Sequence, residues 1–152
     1  MESEVTLPPA GFRPYEAADR DACLAIFDEN CPEFFAPNER AGFSTFLERS
    51  ADDYCVCVSN GRVAGGYGLI LEGKGVMSLR WILVAKAAQR HGIGHVIMTR
   101  TINGAKKLKA RLTIAASQKS APFFTKFGAK EIKTTPDGWG PGMHRVEMEL
   151  LP

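Results

Sequence analysis

The run Gln89-Arg90-His91-Gly92-Ile93-Gly94 is the segment whose residue types and spacing could do chemistry. It lies between residues 76–84, which have strand character, and a pattern in which Ile93, Val96, Ile97, Ala105 and Leu108 keep a helical period. A helix start exposes backbone N–H groups without partners, and the helix dipole favours an anion there. Gly92 and Gly94 remove side chains that would hold a phosphate away. Two familiar nucleotide loops fail on spacing. A P-loop ends in Gly-Lys-Ser/Thr, which this run lacks. A dinucleotide fingerprint needs a third glycine at position 97, where Ile97 stands. His91 and His95 lie four apart and could face one metal. The glutamate of a metalloprotease motif is replaced by Gly92, so no metal is expected.

The elements that must position this loop can be laid out along the chain. Residues 1–10 form a polar, proline-bearing stretch expected to be a flexible tail, and residues 11–152 are expected to form one domain. A strand is expected over residues 11–15, then a helix with Asp19 as its N-cap and a second helix after Pro37 carrying Phe43, Phe46 and Leu47. Between the helices, residues 31–37 read as a loop with Phe34 and Phe35. Residues 54–58 and 62–71 read as strands joined by the hairpin signal Asn60-Gly61. Gly65, Gly66 and Gly68 in the second of these suggest a bulge or a close backbone approach. After the loop and its helix come a strand at 111–116, a short helix at 122–127 ended by Gly128, and strands at 131–135 and 145–150. Residues 136–142, Pro-Asp-Gly-Trp-Gly-Pro-Gly, are so rich in breakers that a loop is expected. Hairpins come first and a strand-helix-strand unit later, which makes the sheet mixed.

The loop, taken with this order, resembles the acyl-CoA loop of the GNAT superfamily of N-acetyltransferases. The family pattern is Gln/Arg-x-x-Gly-x-Gly/Ala, five residues after a strand-ending valine. Gln89, Gly92, Gly94 and Val84 match it without a gap, and the element order matches over about residues 11–150. The resemblance implies an α/β (α+β) fold. Its central sheet would be mixed, mostly antiparallel, of about seven strands flanked by about four helices. It implies acetyl-CoA as cosubstrate and a primary amine as acceptor. Ile82, Leu83 and Val84 would offer backbone groups to the pantetheine arm and the acetyl carbonyl. Gln89, Arg90, His91, Gly92, Ile93, Gly94 and the neighbouring His95 would surround the pyrophosphate. Gln118 falls where the family often has an asparagine near the pantetheine. Residues 121–128 resemble the family's Ala-x-x-Phe-Tyr-x-x-x-Gly segment, with one departure: the tyrosine proposed to protonate the leaving thiolate is Phe124.

Such chemistry sets requirements of its own. An alkyl ammonium must lose a proton before it attacks a thioester, which costs several kcal/mol at neutral pH for a pKa near ~10.4. A base or a water chain can meet that cost. A strand N–H near residues 82–84 can hold the oxyanion. A thiol with a pKa of roughly 8.5 leaves without an obligatory acid, so Phe124 is compatible with transfer. The strand at 76–84 carries no acidic residue where many relatives have a glutamate. Candidates for the base therefore lie elsewhere: Glu33, Glu39, Glu72, Asp137 and His144. Phe34, Phe35 and Trp139 are candidates to line the acceptor pocket, between the 31–37 and 136–142 segments. A second reading, a non-catalytic acyl-CoA-binding regulatory module, draws on Phe124 and on the acid-free strand.

Composition narrows the classes further. Hydrophobic residues at 45% and charged ones at 24% give a globular balance able to bury a core. A net charge of +2 is too small to expect nucleic acid as a partner. The apolar runs are far shorter than a membrane span, and the acidic start has no signal-peptide core, so a cytoplasmic location without membrane partners is expected. Cys23, Cys31, Cys55 and Cys57 show no CxxC spacing and are expected to be thiols, Cys55 and Cys57 on one strand face. Beyond the amine acceptor, a homodimer is compatible with the sequence.

Overall fold

A computed structural model describes residues 11–152, so the expected tail at residues 1–10 lies outside the described residues. Its elements are β1 (Gly11–Pro14), α1 (Arg20–Glu29), α2 (Arg40–Arg49), β2 (Tyr54–Ser59), β3 (Arg62–Gly73), β4 (Val76–Val84), α3 (Ile93–Lys107), β5 (Arg111–Ala116), α4 (Ala121–Thr125), β6 (Lys130–Gly140) and β7 (Met143–Leu150). The order along the chain is the expected one. One seven-stranded sheet runs β1-β2-β3-β4-β5-β7-β6. Only β4 and β5 pair in parallel; the other neighbours are antiparallel. A parallel neighbour needs a crossover, and α3 supplies it.

Alternation along each strand divides the core between two layers of helices. Tyr54 and Val56 of β2 point to one face, where they meet Phe27 and Cys23 of α1 and Phe43 and Leu47 of α2. Cys57, with Cys55 packed beside it, points to the other face. There Met77, Leu79, Leu112 and Ile114 pack with Ile93, Ile97 and Met98 of α3 and Phe124 of α4. The four cysteines are free thiols, and burial pushes the Cys23 thiol up to about 12. Among the described residues, no helix is long and apolar enough to cross a membrane.

Two local expectations are corrected. The 136–142 segment is not simply a loop, because β6 continues to Gly140. Pairing jumps from Thr135↔Arg145 to Gly140↔Met143, so the extra residues bulge outward from a strand that keeps its course. β6 is the sheet's last strand, where the missing N–H of Pro136 costs no ladder bond. Asp137 turns the bulge with a φ of 54°. Its Oδ1 accepts the Gly142 amide at 2.7 Å, and its own amide donates to His144 Nδ1 at 3.0 Å. The second correction concerns Asp19. It stands at the N-cap position of α1, but its carboxylate does not cap that helix. It turns back to take two hydrogen bonds from the Arg13 guanidinium, both 2.8 Å, and one from the Glu16 amide at 2.8 Å. Asp19 is itself helical, with φ −85° and ψ −8°, as the last residue of a 3-10 turn that leads into α1, so its carboxylate caps the start of that turn and pairs with Arg13.

The Asp19 pair sets an acid dependence. Hydrogen bonding from Arg13 holds the carboxyl below its ordinary value. A depressed carboxylate adds stability above its unfolded pKa, and that stability is lost as pH falls through the folded value. Asp19→Asn should therefore lower Tm by a few degrees at neutral pH. In melts from pH 7 down through the carboxylate range, the gap to wild type should close.

Candidate functional site

The site begins where the two parallel strands part. β4 and β5 pair only from Val76↔Arg111 to Leu79↔Ile114. Beyond that point residues 80–84 and 115–117 diverge, and a cavity of about 980 Å³ opens between them and the flanking elements. β4 is bent at the same place. Gly68 pairs with Arg80 and Gly66 with Leu83, so Tyr67 alone opposes Trp81 and Ile82. The extra residue is a bulge, and Trp81 takes a φ of 52° in it.

The Gln89–Gly94 loop forms one end of the cavity. After Val84 the chain makes a 3-10 turn at Lys86–Ala88, and α3 starts behind Gly92. Gly92 has a φ of +85°, a conformation that strains any residue with a Cβ. The first helical bond of α3 runs from the Val96 amide to the Gly92 carbonyl at 3.0 Å. The amides of Ile93, Gly94 and His95 precede it and have no acceptor within the helix. Arg90 and His95 stand beside them on the cavity wall, so this end favours an anion.

A side-chain clamp fixes the loop to α1. Gln89 Nε2 donates to Val84 O at 2.9 Å and to Asn30 Oδ1 at 2.8 Å. Asn30 Nδ2 donates to Val84 O at 3.1 Å and to Ile26 O at 2.9 Å. Lys86 N donates to Glu29 Oε1 at 2.9 Å. Asn30 is buried, and both ends of its amide are used. In the sequence it reads as an ordinary helix-end residue before Cys31-Pro32, so nothing local signals the contact.

The expected residues divide between the wall and its surroundings. Ile82, Leu83, Val84, Gln89, Arg90, Gly92, Gly94, His95 and Phe124 line the cavity, as do Phe34, Phe35 and Trp139. His91 and Ile93 do not. Ile93 is buried in the core under α3. Gln118 is spent on the β6–β7 hairpin, donating to Gly142 O at 2.7 Å and accepting the His144 amide at 2.9 Å. Phe35 is shared with the core, stacked on Phe27 at 4.9 Å. Trp139 is held from both sides: its indole N–H donates to Ala116 O at 2.9 Å, and the Arg145 guanidinium lies 4.8 Å above its ring.

Of the candidate bases, Glu39 lines the cavity while Glu33, Glu72, Asp137 and His144 stand outside its lining. Glu33 lies 4.0 Å from Lys86 Nζ. Glu72 is bonded to Ser78 and Arg80, which hold its carboxyl below the ordinary value and weaken it as a base. Asp137 and His144 are occupied in shaping the hairpin. Glu39 is half-buried beside the α2 start, where its Oε2 accepts the Ala36 amide at 2.7 Å. Burial nevertheless raises its carboxyl above the ordinary value. Arg145 and Glu147 of β7 complete the far wall, their charged groups 3.8 Å apart. Sequence reasoning missed both because strand alternation alone does not say that this face of β7 borders a gap. Among the described residues no three metal-ligating side chains converge.

Residues 23–129, more than half of the chain, match the family model described as Acetyltransferase (GNAT) family. No curated protein matches the sequence. Solved structures with the same fold include Ard1 from Thermoplasma volcanium, at 13% identity and TM-score 0.77 over 93% of this chain and 97% of that one. A GCN5-related N-acetyltransferase from Kribbella flavida matches at 22% identity and TM-score 0.72, over 94% and 98%. Rv2747 from Mycobacterium tuberculosis, in complex with CoA and NLQ, matches at 20% identity and TM-score 0.71, over 93% and 99%.

The Asn30 clamp can be tested without any ligand. Asn30→Ala orphans the buried Ile26 carbonyl and releases one side of Gln89. A loss of about 2 kcal/mol follows, or a Tm lower by roughly 4–8 °C. Amide exchange should rise across residues 84–89 before it rises in β5.

Proposed function

The chain belongs to the acetyltransferase (GNAT) family, and from that premise we propose that it transfers an acetyl group from acetyl-CoA to a primary amine of a small molecule or peptide, by direct attack in a ternary complex. One observation carries the reading. The parted strands, the open helix start and a half-buried carboxylate all border a single cavity. The residues present fit the donor. The N-terminus of α3 with Arg90 and His95 suits a pyrophosphate, and the β4 edge at residues 82–84 offers backbone groups to a pantetheine arm.

Glu39 is the proposed general base. An amine arrives as an ammonium, and a carboxylate can take its proton directly or through one water. Burial brings the carboxyl of Glu39 nearer to neutral pH, which makes it a stronger base than an exposed glutamate. It comes from the start of α2, not from β4, so the acid-free β4 strand does not argue against catalysis. This favours the enzyme over the non-catalytic acyl-CoA-binding module. A backbone N–H at residues 82–84 would receive the developing oxyanion. Phe124 offers no proton, and the thiol leaves as thiolate, to be protonated by solvent. The acceptor would lie between Phe34 and Glu39 on one wall and Trp139, Arg145 and Glu147 on the other.

Acetyl-CoA should raise Tm by mass action, and Gly92→Asp should abolish the shift by placing a carboxylate and a Cβ at a left-handed position facing the phosphates. An undiminished shift in that variant removes the loop assignment. With an acceptor found by CoA release across an amine panel, Glu39→Gln should lower kcat/KM about a hundredfold or more. The glutamine oxygen can still accept the Ala36 amide, so the fold is kept. Because the raised carboxyl of Glu39 is active only when ionised, wild-type kcat/KM should fall on the acid side at a pH above the ordinary glutamate range. That limb should vanish in the variant. Acetyl-CoA binding with no CoA release from any amine would favour the regulatory module.

A further inference from the structure

The β4 bulge places a large aromatic residue, Trp81, in the left-handed region with a φ of 52°. Side chains other than glycine, asparagine and aspartate rarely settle there, and such strain persists only where the surroundings enforce it. The bulge, Trp81 and Ile82, lies just past the last β4–β5 pair, Leu79↔Ile114, and leads into Leu83 and Val84 on the cavity wall. Its shape therefore decides how the backbone of those residues faces the cavity.

Among the described residues, one side-chain hydrogen bond from outside the β3–β4 ladder reaches Trp81. The hydroxyl of Tyr54, on β2, donates to the Trp81 carbonyl at 2.7 Å. Tyr54 is buried, with its ring edge-on to Tyr15 at 6.1 Å, Phe43 at 6.1 Å and Phe46 at 5.6 Å. The Trp81 indole is gripped by the same helix, 5.0 Å from Phe43 and 6.3 Å from Phe46. The intervening strand makes room for the contact. At Gly66, which pairs with Leu83, a Cβ would sit 2.7 Å from the Tyr54 hydroxyl oxygen. Burial pushes the phenol well above its ordinary value, so it remains a donor throughout the working pH range.

We propose that the Tyr54 hydroxyl is a positioning group for acetyl transfer: its bond to the Trp81 carbonyl holds β4 in the bulged form and so fixes the backbone of residues 82–84 against the thioester. This rests on the acetyl-transfer reading. Tyr54 touches no substrate and acts through Trp81. The grip on the pyrophosphate is set independently by the Asn30–Gln89 clamp and the start of α3, so the hydroxyl should matter to the transfer step and little to donor binding.

Tyr54→Phe deletes one oxygen and keeps the ring packing. Three quantities are measured: kcat and KM for acetyl-CoA with an acceptor from the amine panel, and amide exchange of Ile82 and Leu83 with Leu79 as internal reference. The expected result is a kcat lower by about tenfold or more, as misplaced oxyanion donors give, with KM for acetyl-CoA within about twofold. Exchange at Ile82 and Leu83 should quicken relative to Leu79. A purely structural role would lower Tm and leave both kcat per folded molecule and the relative exchange unchanged. Either an unchanged kcat or an unchanged relative exchange overturns the proposal, as does a loss confined to KM. A wild-type chain that releases no CoA with any acceptor sinks the acetyl-transfer reading itself. The exchange data then still decide whether Tyr54 holds the bulge.

Discussion

Two parallel strands that separate after four paired residues release backbone groups that need new partners, and this constraint organises the molecule around the cavity. Side-chain donors brace carbonyls on both sides of the gap. The Val84 carbonyl receives Asn30 and Gln89, the Trp81 carbonyl receives Tyr54, and the Ala116 carbonyl on the β5 side receives the Trp139 indole. The end of α1, the loop before α3, β2 and the outer strand β6 each contribute one of these arms.

The bracing also sorts charge along the cavity. At one end stand the open start of α3, Arg90 and His95, suited to an anion. Across the cavity stand Glu39 and Glu147, suited to an amine, with Arg145 between Trp139 and Glu147. The first set rests largely on backbone geometry and the second on side chains. On the proposed reading, the donor end depends on glycine at position 92 and on the Gln89 clamp, whereas the acceptor end depends on the charges its side chains carry.

The place of the Gln89–Gly94 loop between β4 and α3 was legible because its signals are local: Val84, Gln89, Gly92 and Gly94 lie within eleven consecutive residues whose spacing alone carries the pattern. The order of strands and helices was legible for the same reason, since periodicity and turn residues act within short windows. What escaped is non-local. Asn30 works only because α1 ends beside the loop, fifty-nine residues away from Gln89. Glu39 was one of five candidate carboxylate or imidazole bases, and the burial that sets it apart is not revealed by spacing, while Arg145 and Glu147 reach the cavity because their strand borders a gap. The two local misreadings have separate causes. Proline and glycine break a central strand but not the outer strand β6, and Asp19 ends a 3-10 turn that runs into α1, so its carboxylate serves the Glu16 amide and Arg13.

The chain has two tryptophans, and both are cavity-wall residues: Trp81 at the bulge and Trp139 on the outer hairpin. Their indoles sit in unlike settings, one packed among the phenylalanines of α2 and the other bonded to a strand carbonyl beneath an arginine. All the indole emission of the protein therefore originates at the site, with no background from elsewhere. The molecule carries its own optical probe, in which a ligand that reaches either wall alters the colour or intensity of light from that wall, without a label.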